Sequence, residues 1–154
     1  MKIETSKFGA VEIQEDQVIR FLQPIIGFPG LIRYVLIDSD KCVKWLQSMD
    51  DPAVVFPVVS PLAIKDDYNV EIPNSEATAL GIQGAEDVQL WSITVLSDNP
   101  AEIRANLRAP VVLNRHNGTA KQVVLPDNEL PIRYHFVPQT ILGNKEVAHV
   151  GAHA

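Results

Sequence analysis

Short runs of β-forming residues, interrupted every few positions by turn residues, dominate this sequence and leave little room for long helices. The run at 87–96 (DVQLWSITVL) carries large apolar side chains on both alternating faces, which is typical of a central strand covered on both sides. Turn residues mark the ends of such runs. Gly9 predicts a hairpin near the N-terminus, and Asn117-Gly118 predicts a two-residue hairpin.

One segment favours a helix. Residues 74–82 (NSEATALGI) begin with Asn74 or Ser75 as a cap and reach Gly81 as a stop signal. Beside this helix we count about eight to ten short strands with short connections. The pattern predicts a mainly β fold: a small antiparallel β-barrel with one or two short helices.

The length of 154 residues fits one domain of ordinary size. We predict a single β-barrel domain over residues 1–131, because no linker or internal repeat interrupts it. The apolar pattern weakens beyond Pro131. Residues 132–154 are therefore predicted to form a C-terminal extension that is partly mobile.

Charge and cysteine content exclude several classes of function. The net charge of −6 argues against direct nucleic-acid binding by the domain, because such domains usually carry a basic surface. Cys42 is the sole cysteine, so one chain cannot form an internal disulfide. The apolar run at 53–59 is too short to span a membrane, and the N-terminus carries no apolar run of signal-peptide length. These features predict a cytoplasmic protein without a membrane partner.

Nothing in the sequence predicts a catalytic centre. His116 lies beside a predicted turn, and Cys42 is expected to be a small, half-buried apolar group. His149 and His153 are four residues apart, but Gly151 between them disfavours a helix that would bring both to one metal ion. No phosphate-binding loop, dinucleotide-binding glycine pattern or zinc motif is present.

The prediction is therefore a protein that is not an enzyme and that needs no cofactor and no metal. The alternative is a small β-barrel enzyme or ligand-binding protein with a flavin-type ligand, since the mouths of barrels do bind ligands.

Acidic residues are concentrated in one stretch: residues 66–103 contain eight of them and neither Lys nor Arg. They are Asp66, Asp67, Glu71, Glu76, Glu86, Asp87, Asp98 and Glu102. One interpretation is a solvated face that keeps the protein soluble. The other is a surface that steers a basic partner, for which Asp66, Asp67 and Glu71 are the candidate contacts.

Polar residues inside apolar strands supply the remaining candidates. In WLQSMDDPAVVF (45–56), the odd positions form an apolar face interrupted by Gln47, and the even positions, apart from Leu46, are expected to be mostly wet. Gln47 must either form hydrogen bonds inside the barrel or face an open rim. Asp50 and Asp51 either set the turn before Pro52 or meet a partner. Asn106, in ANLRAP, either bonds the backbone near Pro110 or meets a partner.

Several segments combine an unusual choice of polar residues with an apolar strand pattern. They are MKIETSKFGAVEI, IIGFPGLIRYVLI, WLQSMDDPAVVFPVVSP, ANLRAPVVLN and KQVVL. In this order, from Met1 to about Leu125, the chain resembles the flagellar assembly factor FliW family. Residues 23–26 (QPII) depart from the acidic, Pro-Glu-Gly-like sequence expected there.

The resemblance implies a cytoplasmic bacterial β-barrel without enzymatic activity. It implies a chaperone that binds flagellin before export. It also implies binding to CsrA, a small dimeric RNA-binding repressor of translation. When flagellin is exported, the freed factor would capture CsrA and release flagellin messenger RNA for translation.

Overall fold

Short strands account for most of the regular structure in the computed structural model, which describes residues 1–39, 43–127 and 129–137. The strands are β1 (Lys2–Thr5), β2 (Gly9–Glu12), β3 (Ile19–Phe21), β4 (Arg33–Ile37), β5 (Lys44–Ser48), β6 (Val55–Val59), β7 (Val88–Val95), β8 (Arg104–Ala105), β9 (Val111–Asn114), β10 (Thr119–Gln122) and β11 (Tyr134–His135). The helices are α1 (Pro61–Ile64) and α2 (Asn74–Ala79), with 3₁₀ turns at Glu15–Gln17, Ala85–Asp87 and Pro100–Glu102. The prediction of a mainly β fold with one or two short helices is confirmed.

Seven of these strands close into a barrel. The order β3-β4-β5-β6-β7-β9-β10 returns to β3, which confirms the predicted architecture. Six of the pairings are antiparallel, and β3 runs parallel to β10, with Arg20 opposite Thr119. An odd number of strands cannot alternate direction all the way around a closed ring, so a seven-stranded barrel must contain a parallel pair.

β7 organises one side of the barrel because it changes partner along its length. Its first half, from Val88 to Trp91, pairs with β9, and its end at Thr94 and Val95 pairs with β8. β11 then adds to the outer edge of β8. Across its other edge, β7 pairs with β6 only at and beyond Val58, which is consistent with the missing backbone donor of Pro57.

Four clusters of apolar side chains hold the described elements together. The barrel interior is filled by residues such as Tyr34, Leu46 and Val58, which are almost fully buried. A second core lies outside the barrel wall, where Leu80 at the end of α2 packs with apolar residues of β7 and β9. The β1–β2 hairpin covers a third region, around Val35 on β4.

Two local predictions are wrong in detail. The β9–β10 hairpin has a four-residue connection, 115–118, rather than a two-residue turn; Gly118 ends it with φ at +74°, and the Asn117 amide donates to the carbonyl of Leu80 at 3.1 Å. Neither Asn74 nor Ser75 caps α2, since Pro73 occupies the cap position. Gly81 does end the helix, with φ at +70°.

The predicted C-terminal extension is described only to Val137. Tyr134–His135 forms β11, and Phe136 is buried beside Ile103 and Ala105. The rest of the extension, including His149 and His153, lies outside the described residues, as does Cys42. The boundary at residue 131 stays a prediction.

Candidate partner-binding surface

Gln47 is fully buried, although it lies on the outer face of the barrel wall. Its neighbours across the sheet are Val35 and Val55, and the β1–β2 hairpin covers this face. The side-chain amide nitrogen donates to the carbonyls of Ser48, Pro52 and Val54 at 3.0, 3.2 and 3.2 Å. Since Gln47 is 0% exposed, any contribution to partner binding is indirect, through the turn that it holds.

Ser48 departs from the wet side expected for β5, whereas Lys44 is partly exposed and Leu46 is buried as the pattern predicts. Leu46 and Ser48 face the barrel interior and are 2% and 0% exposed. The Ser48 hydroxyl accepts hydrogen bonds from the amides of Asp50 and Asp51, both at 3.0 Å. Both faces of the strand are therefore covered, one by the barrel and the other by the N-terminal hairpin.

Asp50 and Asp51 both act structurally at the β5–β6 turn. The Asp51 carboxylate accepts the amide of Ala53 at 3.0 Å, the local bond expected of an Asp that sets a turn. Asp50 forms an ion pair with Arg33 at 2.6 Å, and this hydrogen bond lowers the pKa of the Asp50 carboxyl. The Asp50 side chain is 23% exposed, so its carboxylate is largely engaged by Arg33.

Asp66, Asp67 and Glu71 share one exposed loop between α1 and α2. The Lys65 ammonium donates to the Asp67 carboxylate, which lowers the pKa of that group. Below the loop, the buried Tyr68 hydroxyl donates to the carbonyl of Leu107 at 2.8 Å. The loop is therefore anchored to the second core while its carboxylates point to solvent.

Other members of the acidic stretch have partners within the domain. Lys121 pairs with Glu76 at 2.7 Å, and His116 lies 3.2 Å from Asp87. Hydrogen bonds from the Gln83 and Gly84 amides lower the pKa of Asp87. The stretch is thus not one uniform face: Glu76 and Asp87 pair with basic groups of other segments, whereas Asp66 and Glu71 of the loop are exposed and belong to no ion pair among the described residues.

Asn106 bonds the backbone, as one of its two interpretations required. Its side-chain oxygen accepts the amides of Arg108 and Ala109 at 3.1 and 3.0 Å. Asn106 also lines a groove, so the interpretation as a partner contact stays open.

That groove is an apolar depression at one end of the barrel, which we call the apolar mouth. Its volume is about 270 Å³. It is lined by Ile25, Ile26, Phe28, Phe56, Ile93, Val95, Arg104, Ala105, Asn106, Gln122, Ile132 and Arg133. Ile26, Val95 and Ile132 are 67%, 44% and 54% exposed, which is unusual for side chains of this size when they adjoin one another.

The walls of the apolar mouth are built by fixed contacts. Phe28, from the loop before β4, packs edge-on against Phe56 with ring centroids 4.8 Å apart. The Gln122 side chain accepts the amide of Ile26 at 3.2 Å and thereby holds that loop against β10. Phe56 lies just after the β5–β6 turn, so the turn that carries Asp50 and Asp51 is at the same end of the barrel.

Sequence reasoning did not find the apolar mouth. Its exposed residues come from separate segments, and each one resembles a core residue by hydropathy. The available signal was the sequence PIIGFPG, which places Ile25, Ile26 and Phe28 among turn residues where polar side chains are the rule.

The described part of the chain offers no sign of a metal centre or a membrane segment. Across these residues, no three side chains of His, Cys, Asp or Glu converge in a way that could hold a metal ion. Within the same residues, no helix has both the length and the apolar character needed to cross a bilayer.

Comparison with known proteins places the whole barrel in one family. The model of the FliW protein family matches residues 2–136. A flagellar assembly factor FliW of Bdellovibrio bacteriovorus is 37% identical over 96% of this chain and 87% of its own length. One from Syntrophus aciditrophicus is 40% identical over 95% of this chain and 90% of its own length. A crystal structure of the flagellar assembly factor FliW superposes with a TM-score of 0.84 at 32% identity, covering 90% of this chain and 98% of that one.

Proposed function

The chain belongs to the FliW family of flagellar assembly factors, and from that premise we propose that it binds flagellin in the cytoplasm before export. When free of flagellin, it binds CsrA and antagonises this translational repressor. Flagellin export is thereby coupled to flagellin synthesis. We propose neither enzymatic activity nor a cofactor.

The observation that carries this proposal is the family match over the whole barrel, and two surface features support it. The apolar mouth provides the exposed, adjoining apolar side chains that mark protein interaction sites. The loop at 66–71 provides exposed carboxylates, and a repressor that binds RNA needs basic groups where it meets phosphates. The two features have opposite chemistry, which suits a protein with two unlike partners.

The experiment that tests the function is calorimetric titration of the purified protein with purified flagellin and, separately, with purified CsrA from the same organism. We expect a saturable complex with each at micromolar concentrations. A specific interface of ordinary size buries about 1,200–2,000 Å² in total. The absence of either complex would contradict that part of the proposal.

For CsrA, we propose that the loop at 66–71 meets basic groups of the repressor and repels RNA from the captured complex. Reversing the charges by Asp66→Lys, Asp67→Lys and Glu71→Lys should weaken the inhibition of RNA binding and flatten its dependence on salt. The measurement is competition for a labelled RNA over a salt series.

A matched control for the loop variant is Glu15→Lys, Asp16→Lys and Glu129→Lys. It changes the net charge equally at exposed carboxylates outside the loop. Equal loss of inhibition in both triple variants would show that net charge is responsible, and unchanged inhibition in the loop variant would reject this mechanism.

A further inference from the structure

The apolar mouth has a charge pattern that the net charge of the chain conceals. The chain carries −6, yet the charged residues that line the apolar mouth are Arg104 and Arg133, and no acidic residue lines it among those described. Arg104 donates to the backbone carbonyl of Glu102 at 3.1 Å. Within the described residues, neither guanidinium forms an ion pair.

These guanidinium groups stand beside apolar side chains rather than on an open polar face. Arg104 lies on β8, where it pairs with Val95 and with His135 of β11, and Arg133 directly follows the exposed Ile132. Arg is suited to such a place because it is weakly hydrated and can bind a carboxylate through two parallel hydrogen bonds. A ligand that filled the apolar mouth would bring its own charge within reach of this pair.

We propose that the apolar mouth binds a segment of a partner protein that presents large apolar side chains followed by a carboxylate. The apolar side chains occupy the depression between Ile26, Phe56 and Ile132. The carboxylate, from Asp, Glu or a chain terminus, pairs with Arg104 and Arg133. This inference rests on the proposed function. Of the two partners, it assigns the apolar mouth to flagellin, because an RNA-binding repressor presents basic groups that Arg104 and Arg133 would repel.

The amide groups at the rim fit such a segment. Gln122 and Asn106 are half-buried, and both already bond the backbone of the barrel. They hold the walls of the apolar mouth in place, so that little rearrangement is needed on binding. A site formed before binding loses less conformational entropy, which favours affinity from a small apolar contact.

The test uses the full-length protein and purified flagellin, with affinity measured by calorimetry. We expect Ile26→Asp, Ile132→Asp and Arg133→Glu each to weaken flagellin binding by at least about tenfold. All three side chains are exposed, so the fold should be kept, and the thermal unfolding midpoint of each variant checks this. Binding of CsrA should change by less than about twofold in the same variants.

Two matched controls separate the apolar mouth from general surface effects. Val124→Asp introduces the same charge at a side chain that is 58% exposed and outside the lining. Arg20→Glu reverses an exposed guanidinium on β3 that is also outside the lining. Both should bind flagellin as the wild type does.

The outcomes distinguish this inference from the proposed function. If the wild type binds flagellin and the variants of the apolar mouth bind it equally well, the inference is overturned while the function stands. If the wild type does not bind flagellin, both are overturned. A wild-type dimer that dissociates in Ile26→Asp would show that a second copy of the chain covers the apolar mouth, which also overturns the inference.

Discussion

Replacing Gln47 with Ala is expected to lower the free energy of unfolding by about 2–4 kcal/mol, measured by chemical denaturation. The substitution removes a buried amide nitrogen that donates to the carbonyls of Ser48, Pro52 and Val54, and it leaves a cavity under the β1–β2 hairpin. The Pro52 carbonyl also accepts the amide of Ser6 at 2.9 Å. Loss of Gln47 should therefore loosen both the β5–β6 turn and the attachment of the hairpin.

Two further substitutions separate the contribution of volume from that of the donor. Gln47→Met keeps most of the side-chain volume but cannot donate a hydrogen bond. It should therefore lower the free energy of unfolding by less than Gln47→Ala does, but by more than about 1 kcal/mol. Gln47→Glu keeps the shape but places carboxylate oxygen against carbonyl oxygens, and it should be the least stable of the three at neutral pH. An Ala variant within about 0.5 kcal/mol of the wild type would show that Gln47 does not brace the turn.

The barrel could be predicted because its strands are local features of the sequence. Alternating apolar residues and regularly spaced turn residues determine where short strands begin and end, and short connections favour antiparallel neighbours. The parallel pair of β3 and β10 could not be predicted this way, because residues such as Arg20 and Thr119 meet only when the ring closes. The parallel pair follows from the odd number of strands in the closed barrel, which no single strand sequence reveals.

The solvent-exposed face expected for β5 shows a second limit of prediction from strand patterns. The alternation around Gln47 indicates only that the two faces of the strand differ, and it does not indicate that either face meets water. Here the barrel buries Ser48, and the β1–β2 hairpin buries the other side. A hairpin folded over the outside of a barrel adds a layer that the strand sequence itself does not encode.

The candidate site shows a third limit, which concerns exposure. Charge is visible in a sequence, so Asp66, Asp67 and Glu71 could be identified as a possible contact surface. Hydropathy alone does not identify exposed apolar residues, because Ile26 and Ile132 have the hydropathy of core residues. Their exposure results from the packing of six separated segments around the apolar mouth.

Replacing Asn114 with Ala is expected to cost about 2–3 kcal/mol of unfolding free energy, because this side chain attaches α2 to the barrel. Asn114 is buried at the end of β9. Its amide donates to the carbonyl of Leu80 at 2.9 Å, and its side-chain oxygen accepts the amide of His116 at 3.0 Å. The control is Asn117→Ala, which removes a donor to the same carbonyl from an exposed side chain and should cost less than about 1 kcal/mol.

Asn114→Asp tests the role of the donor through pH. Aspartate keeps the acceptor for His116 but turns a carboxylate oxygen toward the carbonyl of Leu80 in a buried site, so its pKa in the folded protein should rise above the unfolded value of about 3.9. The loss of stability relative to wild type should then be small at acidic pH, where the protonated acid can donate, and should grow as the pH rises above that value. Denaturation of both proteins from pH 4 to pH 8 measures the difference. A loss that does not vary with pH would mean that the Leu80 carbonyl does not need this donor, and that packing of Leu80 holds α2 in place without it.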